Sequence, residues 1–324
     1  MRYLLPIIVL SFLLSCREEK FEEATFCRQY FTANSVIQPL VRAVYPSYKM
    51  ARFSHEEELT VVFVKQTARK TEVIKHEVES GKSKVLFKRK DPISTFDYSV
   101  SGDIAFTSGW DLFVVSKNEE EEMMVPLPYD IGMAKWVGES GQLICQTAPQ
   151  QLVLLDENYQ ELRSWSFPFR IIDWWADDST LIIADIDHMV GYSLPDGVQL
   201  WDYNIDPFYQ TEDLGTAIFM SSNGVSLSAG YGLDEKVNRI YLSTPTHIYA
   251  FDFEDGQIKP NETYFEFWER YDCYVTEPGL DVSFKSDFSI HVLSTISEVH
   301  SIDRKQLGVV IMNSYGEQER ILMH

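Results

Sequence analysis

Met189-Val190-Gly191-Tyr192-Ser193-Leu194-Pro195-Asp196-Gly197 aligns without a gap on Ile248-Tyr249-Ala250-Phe251-Asp252-Phe253-Glu254-Asp255-Gly256 and on Val73-Ile74-Lys75-His76-Glu77-Val78-Glu79-Ser80-Gly81. Each unit is an apolar run of strand length that closes on a turn glycine. Looser copies start at Leu112, Leu152 and Val299. The second residues of the six units are 74, 113, 153, 190, 249 and 300, spaced by 39, 40, 37, 59 and 51. A recurrence near 40 residues, with several strand-length runs inside each period, predicts an all-β array of four-stranded sheets.

Working outward from residue 189, one period reads as strands over 171–175, 181–185, 189–193 and 198–203, joined by Asp- and Gly-bearing turns. Helical periodicity is absent from this region. A four-stranded sheet with two apolar faces cannot bury both alone, whereas radial packing of sheet on sheet buries both. This explains why runs such as Leu181-Ile182-Ile183-Ala184 are continuously apolar rather than alternating. The reading is a six-bladed β-propeller over residues 48–324. A seventh unit, with Val309-Val310-Ile311-Met312 as its strand, is the alternative.

The segment from Tyr192 to Trp201, with Gly197 four residues before the Trp, resembles the repeat of quinoprotein-type (PQQ-like) propellers. Six-bladed TolB-like lipoprotein propellers resemble the chain about as well. The PQQ-like resemblance implies that Trp201 docks on the neighbouring blade. Trp165 matches in part, and the other periods lack a Trp there. These motifs are structural and speak to fold rather than activity.

The N-terminus is of another kind. Arg2 precedes an apolar stretch, Leu4 to Leu14, that is too short for a bilayer-spanning helix of about 20 residues. Leu13-Leu14-Ser15-Cys16 resembles the lipobox of bacterial lipoproteins, which implies cleavage before Cys16 and acylation of that residue. Leu14 is bulkier than the usual residue at its place. Arg17, in place of Asp, implies sorting to the outer membrane, facing the periplasm. The expected organisation is a cleaved signal over 1–15, a lipidated tether with a short helical segment over 16–47, and the propeller over 48–324.

The chain has 324 residues, a net charge of −21, 45% hydrophobic and 14% aromatic residues. That is too apolar for a disordered chain. The acidic balance excludes nucleic acid as an expected partner, because phosphate binding needs clustered Lys and Arg. Of the other cysteines, Cys145 lies in a strand-like run and reads as a small buried hydrophobe, while Cys27 and Cys273 form a candidate disulfide.

No HExxH, CxxC, GxSxG, GxGxxG or P-loop is present. The densest polar cluster is Asp185-Ile186-Asp187-His188. Asp185 and Asp187 are candidate Ca²⁺ ligands, and the plainer reading is a polar turn between strands. Trp174-Trp175 reads as packing between sheets rather than a sugar platform. The long spacings point to two links, 204–214 and 269–279, carrying Phe208, Tyr209, Tyr271 and Tyr274 among acids, with Trp268 at the start of the second. Long links on a rigid scaffold are where binding usually sits, so Phe208, Tyr209, Trp268 and Tyr271 are the candidate recognition patch; the plainer reading is that these aromatics fold back and cap the blade edges. The expected function is a monomeric, membrane-anchored scaffold for another envelope protein, without a catalytic cofactor. The alternatives are glycan or small-molecule binding, and a periplasmic enzyme using Asp185, Asp187 and His188.

Overall fold

The computed structural model describes residues 51–54, 59–67, 69–117, 121–185, 188–204, 226–231, 237–243, 247–266, 274–276, 281–284, 290–298, 301–312 and 318–322. These residues contain no helix and form six antiparallel sheets, each built from strands consecutive in the chain. The first sheet holds β1 (Ala51–Phe53), β2 (Thr60–Gln66), β3 (Thr71–Glu77) and β4 (Ser83–Arg89). The second holds β5 (Thr95–Tyr98), β6 (Ile104–Ser108), β7 (Asp111–Val115) and β8 (Met123–Met124). The third holds β9 (Met133–Val137), β10 (Gln142–Ala148), β11 (Gln151–Leu155) and β12 (Glu161–Ser166). The fourth holds β13 (Asp173–Ala176), β14 (Thr180–Ala184), β15 (His188–Ser193) and β16 (Gln199–Asn204), close to the outline expected from sequence. The fifth holds β17 (Ser226–Tyr231), β18 (Val237–Ser243), β19 (His247–Glu254) and β20 (Gln257–Glu266).

In the sixth sheet β21 (Tyr274–Thr276) and β22 (Asp281–Phe284) pair with opposite ends of β23 (Ile290–Glu298). β24 (Ser301–Met312) pairs with β23 along its length, and β25 (Gln318–Leu322) completes the sheet. The repeated units of the sequence are therefore the third strands of successive sheets: β3, β7, β11, β15, β19 and the start of β24. Val309–Met312 is not a separate seventh unit. It is the far half of β24, because the hairpin keeps its register from Ser297↔Lys305 out to Ile290↔Met312. Tyr274, expected in a link, is the first residue of β21.

The first strands touch in sequence. β5 lies against β1 and β9, β13 against β9 and β17, and β22 against β17 and β1. Burial falls outward from them. All five residues of β14 are buried, whereas five of the six in β12 are exposed. The apolar core is correspondingly a series of seams between sheets. Val62, Val64 and Val73 of the first sheet meet Phe96 and Phe106 of the second. Cys145, Leu143 and Val153 of the third meet Ala105 and Val114 of the second. Cys145 is a free, buried thiol whose pKa burial pushes up, as a small hydrophobe should be. Trp174 enters the seam between sheets three and four, and Trp175 that between four and five, where it meets Phe253 edge-on at 5.6 Å. The tandem pair thus serves both faces of one strand.

Two titratable groups of the first sheet make stability depend on pH. His76 is 2% exposed, its Nδ1 stands 2.8 Å from Ser83 Oγ, and burial lowers its pKa below the ordinary 6.5. The folded state accepts a proton there less readily than the unfolded chain, so stability drains as pH falls below about 6.5. Glu72 acts in the same direction at lower pH. The Lys70 ammonium, 2.8 Å away, holds its carboxyl below the ordinary 4.5 against the opposing effect of burial. The melting temperature is expected to fall between about pH 7 and pH 5, and His76→Gln to flatten that fall. Superimposable profiles for the two proteins would remove His76 as the cause.

Candidate functional site

Antiparallel order puts the turns after first and third strands at one end of every sheet. The turns after second strands and the links to the next sheet share the other end. Hydrogen bonds tie this link end together. Ile131 N donates to Trp110 O at 2.8 Å, Ser94 N to Thr107 O at 2.7 Å, and Ile171 N to Pro149 O at 2.8 Å. Among the described residues, the turns at the opposite end carry eleven acids, from Glu79 to Asp255, against Lys82 and Lys117. Several acids cap their own turns. Asp156 Oδ1 accepts from Asn158 N and Gln160 N, and Asp177 Oδ1 from Ser179 N and Thr180 N. That end attracts cations and repels phosphates.

The cluster read from sequence at Asp185 lies at the link end. Asp185 Oδ1 accepts from His188 N at 2.6 Å, and Asp185 N donates to His188 O at 3.0 Å, so this carboxylate closes the turn between β14 and β15. The His188 ring pairs sideways with Asp202 Oδ1 on β16 at 2.6 Å. Asp187 lies outside the described residues, as do Phe208, Tyr209, Trp268, Tyr271, Cys16, Cys27 and Cys273. Among the described residues no group of three His, Cys, Asp or Glu side chains gathers as metal ligands.

One feature of the first strands went unread in the sequence. Each of four consecutive first strands holds one charge, buried at Asp97, Lys135 and Asp173 and largely covered at Arg52, and the signs alternate: Arg52, Asp97, Lys135, Asp173. Arg52 Nε meets Asp97 Oδ1 at 2.9 Å, and Asp97 Oδ2 accepts Trp136 N of β9 at 2.8 Å. Lys135 Nζ meets Asp173 Oδ1 at 2.6 Å, and Asp173 Oδ2 accepts Leu227 N of β17 at 2.9 Å. Each carboxylate thus joins three successive sheets. Aligning the short first strands with one another would have exposed the alternation.

Outer strands are stitched by aromatics. Trp201 of β16, half-buried, donates from Nε1 to Gly256 O in the fifth sheet at 2.6 Å. Trp165 of β12 lies against Gly197 in the fourth sheet. The docking expected for Trp201 is present, with the ring at the seam rather than fully enclosed.

No protein-family model matches the chain, and no curated protein matches it. Among solved structures, the Cps50 (Swd1) beta-propeller domain of Myceliophteria thermophila aligns with a TM-score of 0.54 at 10% identity, over 89% of this chain and 99% of that one. The chain folds as a β-propeller. The N-terminal domain of Nup159 aligns with a TM-score of 0.45 at 12% identity, over 87% of this chain and 82% of that one. The sheets described above are accordingly blades. The charges on the first strands hold neighbouring blades together, and the Trp residues lock the rims.

Proposed function

We propose that this chain is a bacterial envelope lipoprotein whose propeller is a scaffold for a protein partner. The observation that carries the reading is a set of exposed apolar side chains along the outer rim. Val85, Met123, Met124, Leu162, Val198 and Leu200 are large, exposed, and stand on or beside fourth strands. Trp110 joins them at a hairpin tip. Exposed apolar side chains on a rigid body suit a partner surface better than a small polar ligand. Six sheets whose first strands touch in a closed order support six blades. The boundaries 1–15, 16–47 and 48–324 complete the reading, with Cys16 acylated and the body facing the periplasm from the outer membrane.

Crosslinking in intact envelopes, followed by reconstitution with the purified partner, tests the scaffold. A saturable complex supports it. Binding confined to a glycan array, or turnover of a substrate, replaces it. The anchor is tested separately: Cys16→Ala is expected to abolish incorporation of labelled fatty acid. Persistent labelling would end the lipoprotein reading without touching the scaffold.

A further inference from the structure

We infer that the outer corner of the second blade, formed by Trp110, Met123, Met124, Pro126 and Pro128, docks a segment of another protein. That segment is apolar at its centre and flanked by Lys or Arg. The inference rests on the protein-binding reading above and gives it a place and a partner chemistry.

Trp110 is 64% exposed at the tip of the β6–β7 hairpin. Ser108 pairs with Asp111, leaving Gly109 and Trp110 as the two turn residues. Gly109 has φ +62°, which a two-residue hairpin requires and which other residues rarely adopt. The hairpin is held on both flanks. Ser108 Oγ donates to Pro92 O at 2.7 Å, and Trp110 O accepts Ile131 N at 2.8 Å. A large ring on a fixed tip loses little conformational freedom on binding, which makes it an efficient anchor.

The methionines extend the exposed outer edge of the blade, side by side on β8 and so one on each of its faces. Met123 is 46% and Met124 54% exposed, and they pair with Val114 and Phe113. Val125 N donates to Leu112 O at 2.9 Å, so the link runs back alongside the hairpin. Phe113 is three residues from Trp110, which places Met124 about 10 Å from the tip along the strand. Pro126 and Pro128, both exposed, extend the apolar edge. Methionine and tryptophan are the residue types that adapt to and anchor protein partners.

Two features fix what kind of partner fits. β8 is only two residues long, and the prolines that follow lack N–H donors. The edge therefore cannot extend a hydrogen-bonded ladder, and recognition runs through side chains rather than strand addition. Asp111 and Asp130 are exposed beside the Trp110 tip, whereas Glu122, at the other end of β8, is taken up by Arg89 of the first blade at 3.1 Å. A second copy of the chain would bring like charges together, and an anionic lipid surface would be repelled. A cationic rim on the partner is complementary.

The test uses the full-length chain and a random peptide library displayed on phage. Enriched peptides are expected to carry an apolar centre with Lys or Arg on its flanks. In synthetic form they should bind about 30-fold more weakly to Trp110→Ser, the effect of a hot-spot residue, and also more weakly to Asp111→Asn/Asp130→Asn. The melting temperature of Trp110→Ser should match the parent, since the ring is exposed. Peptides without basic flanks, or binding unchanged by Trp110→Ser and Met124→Ser, would overturn the inference. Peptides lost instead on Val198→Ser/Leu200→Ser would move the site to another blade and leave the scaffold reading standing. Self-association that Trp110→Ser abolishes would make a second copy the occupant and overturn the inference. No enrichment on any surface would count against both readings.

Discussion

Asp173→Leu is expected to destabilise the protein by about 3–5 kcal/mol, the effect of stranding a buried charge. The side chains of Lys135 and Asp173 are 10% and 5% exposed and meet at 2.6 Å. Asp173 also accepts Leu227 N at 2.9 Å, and Lys135 Nζ donates to Trp174 O at 2.8 Å. Removing the carboxylate leaves the ammonium without its counter-charge and the Leu227 amide without its acceptor in a buried seam. The double variant Lys135→Met/Asp173→Leu should recover part of the loss, because both desolvation penalties vanish together. A residue of about 1–3 kcal/mol remains for the orphaned Leu227 amide. The Arg239–Asp252 pair supplies the contrast: at 3.4 Å, with side chains 27% and 56% exposed, it is screened by water. Its removal is expected to change stability by about 1 kcal/mol or less. Urea unfolding of the four proteins decides the matter. If Asp173→Leu falls within about 1 kcal/mol of the parent, or the double variant is as unstable as the single, the interblade charges are not what holds the seam.

How far the sequence disclosed this architecture depends on which strand is considered. Third strands were legible because each combines an apolar run with a turn glycine, as in Ile248 to Gly256. Both signals are local. First strands, apart from the one outlined over 171–175, were not, because they are short and carry a charge in an apolar setting, as Lys135 does in Met133–Val137. The partners that justify those charges lie in other blades, 45 residues away for Arg52 and Asp97. The back half of β24 passed for a seventh unit because strand length is not written in composition. A twelve-residue strand looks like two short ones until its register with β23 is known. Asp185 was legible as a turn residue through its chemistry. Trp110 was not singled out, since Gly109-Trp110-Asp111 reads as an ordinary turn and only the fold shows the ring outward.

Gly191→Ala is expected to cost about 3 kcal/mol although it adds a single methyl group. Gly191 of β15 pairs directly with Trp201 of β16, and the indole lies flat over the position where a side chain would begin. A Cβ there would stand 2.5 Å from Cζ2 and Nε1, and closer still to Cε2. The strand cannot give way, because Val190 on one side and Ile182 across the sheet are buried. The ring must leave instead. It would surrender the 2.6 Å hydrogen bond to Gly256 O and its packing on the cluster of Phe251, Phe253 and Tyr249 in the next blade. Trp201→Ala gives up the same contacts directly, so it should cost a similar amount. The two changes act on one interaction and should not add: Gly191→Ala/Trp201→Ala is expected to match Trp201→Ala within about 0.5 kcal/mol. Gly141→Ala is the control for backbone strain alone, since Gly141 has φ +72° with no atom within 4 Å of its added carbon. It should cost only about 1–2 kcal/mol. Denaturant unfolding followed by tryptophan fluorescence measures all four. Additive costs, or a Gly191→Ala protein as stable as the parent, would mean that the rim Trp is not what locks the fourth blade to the fifth.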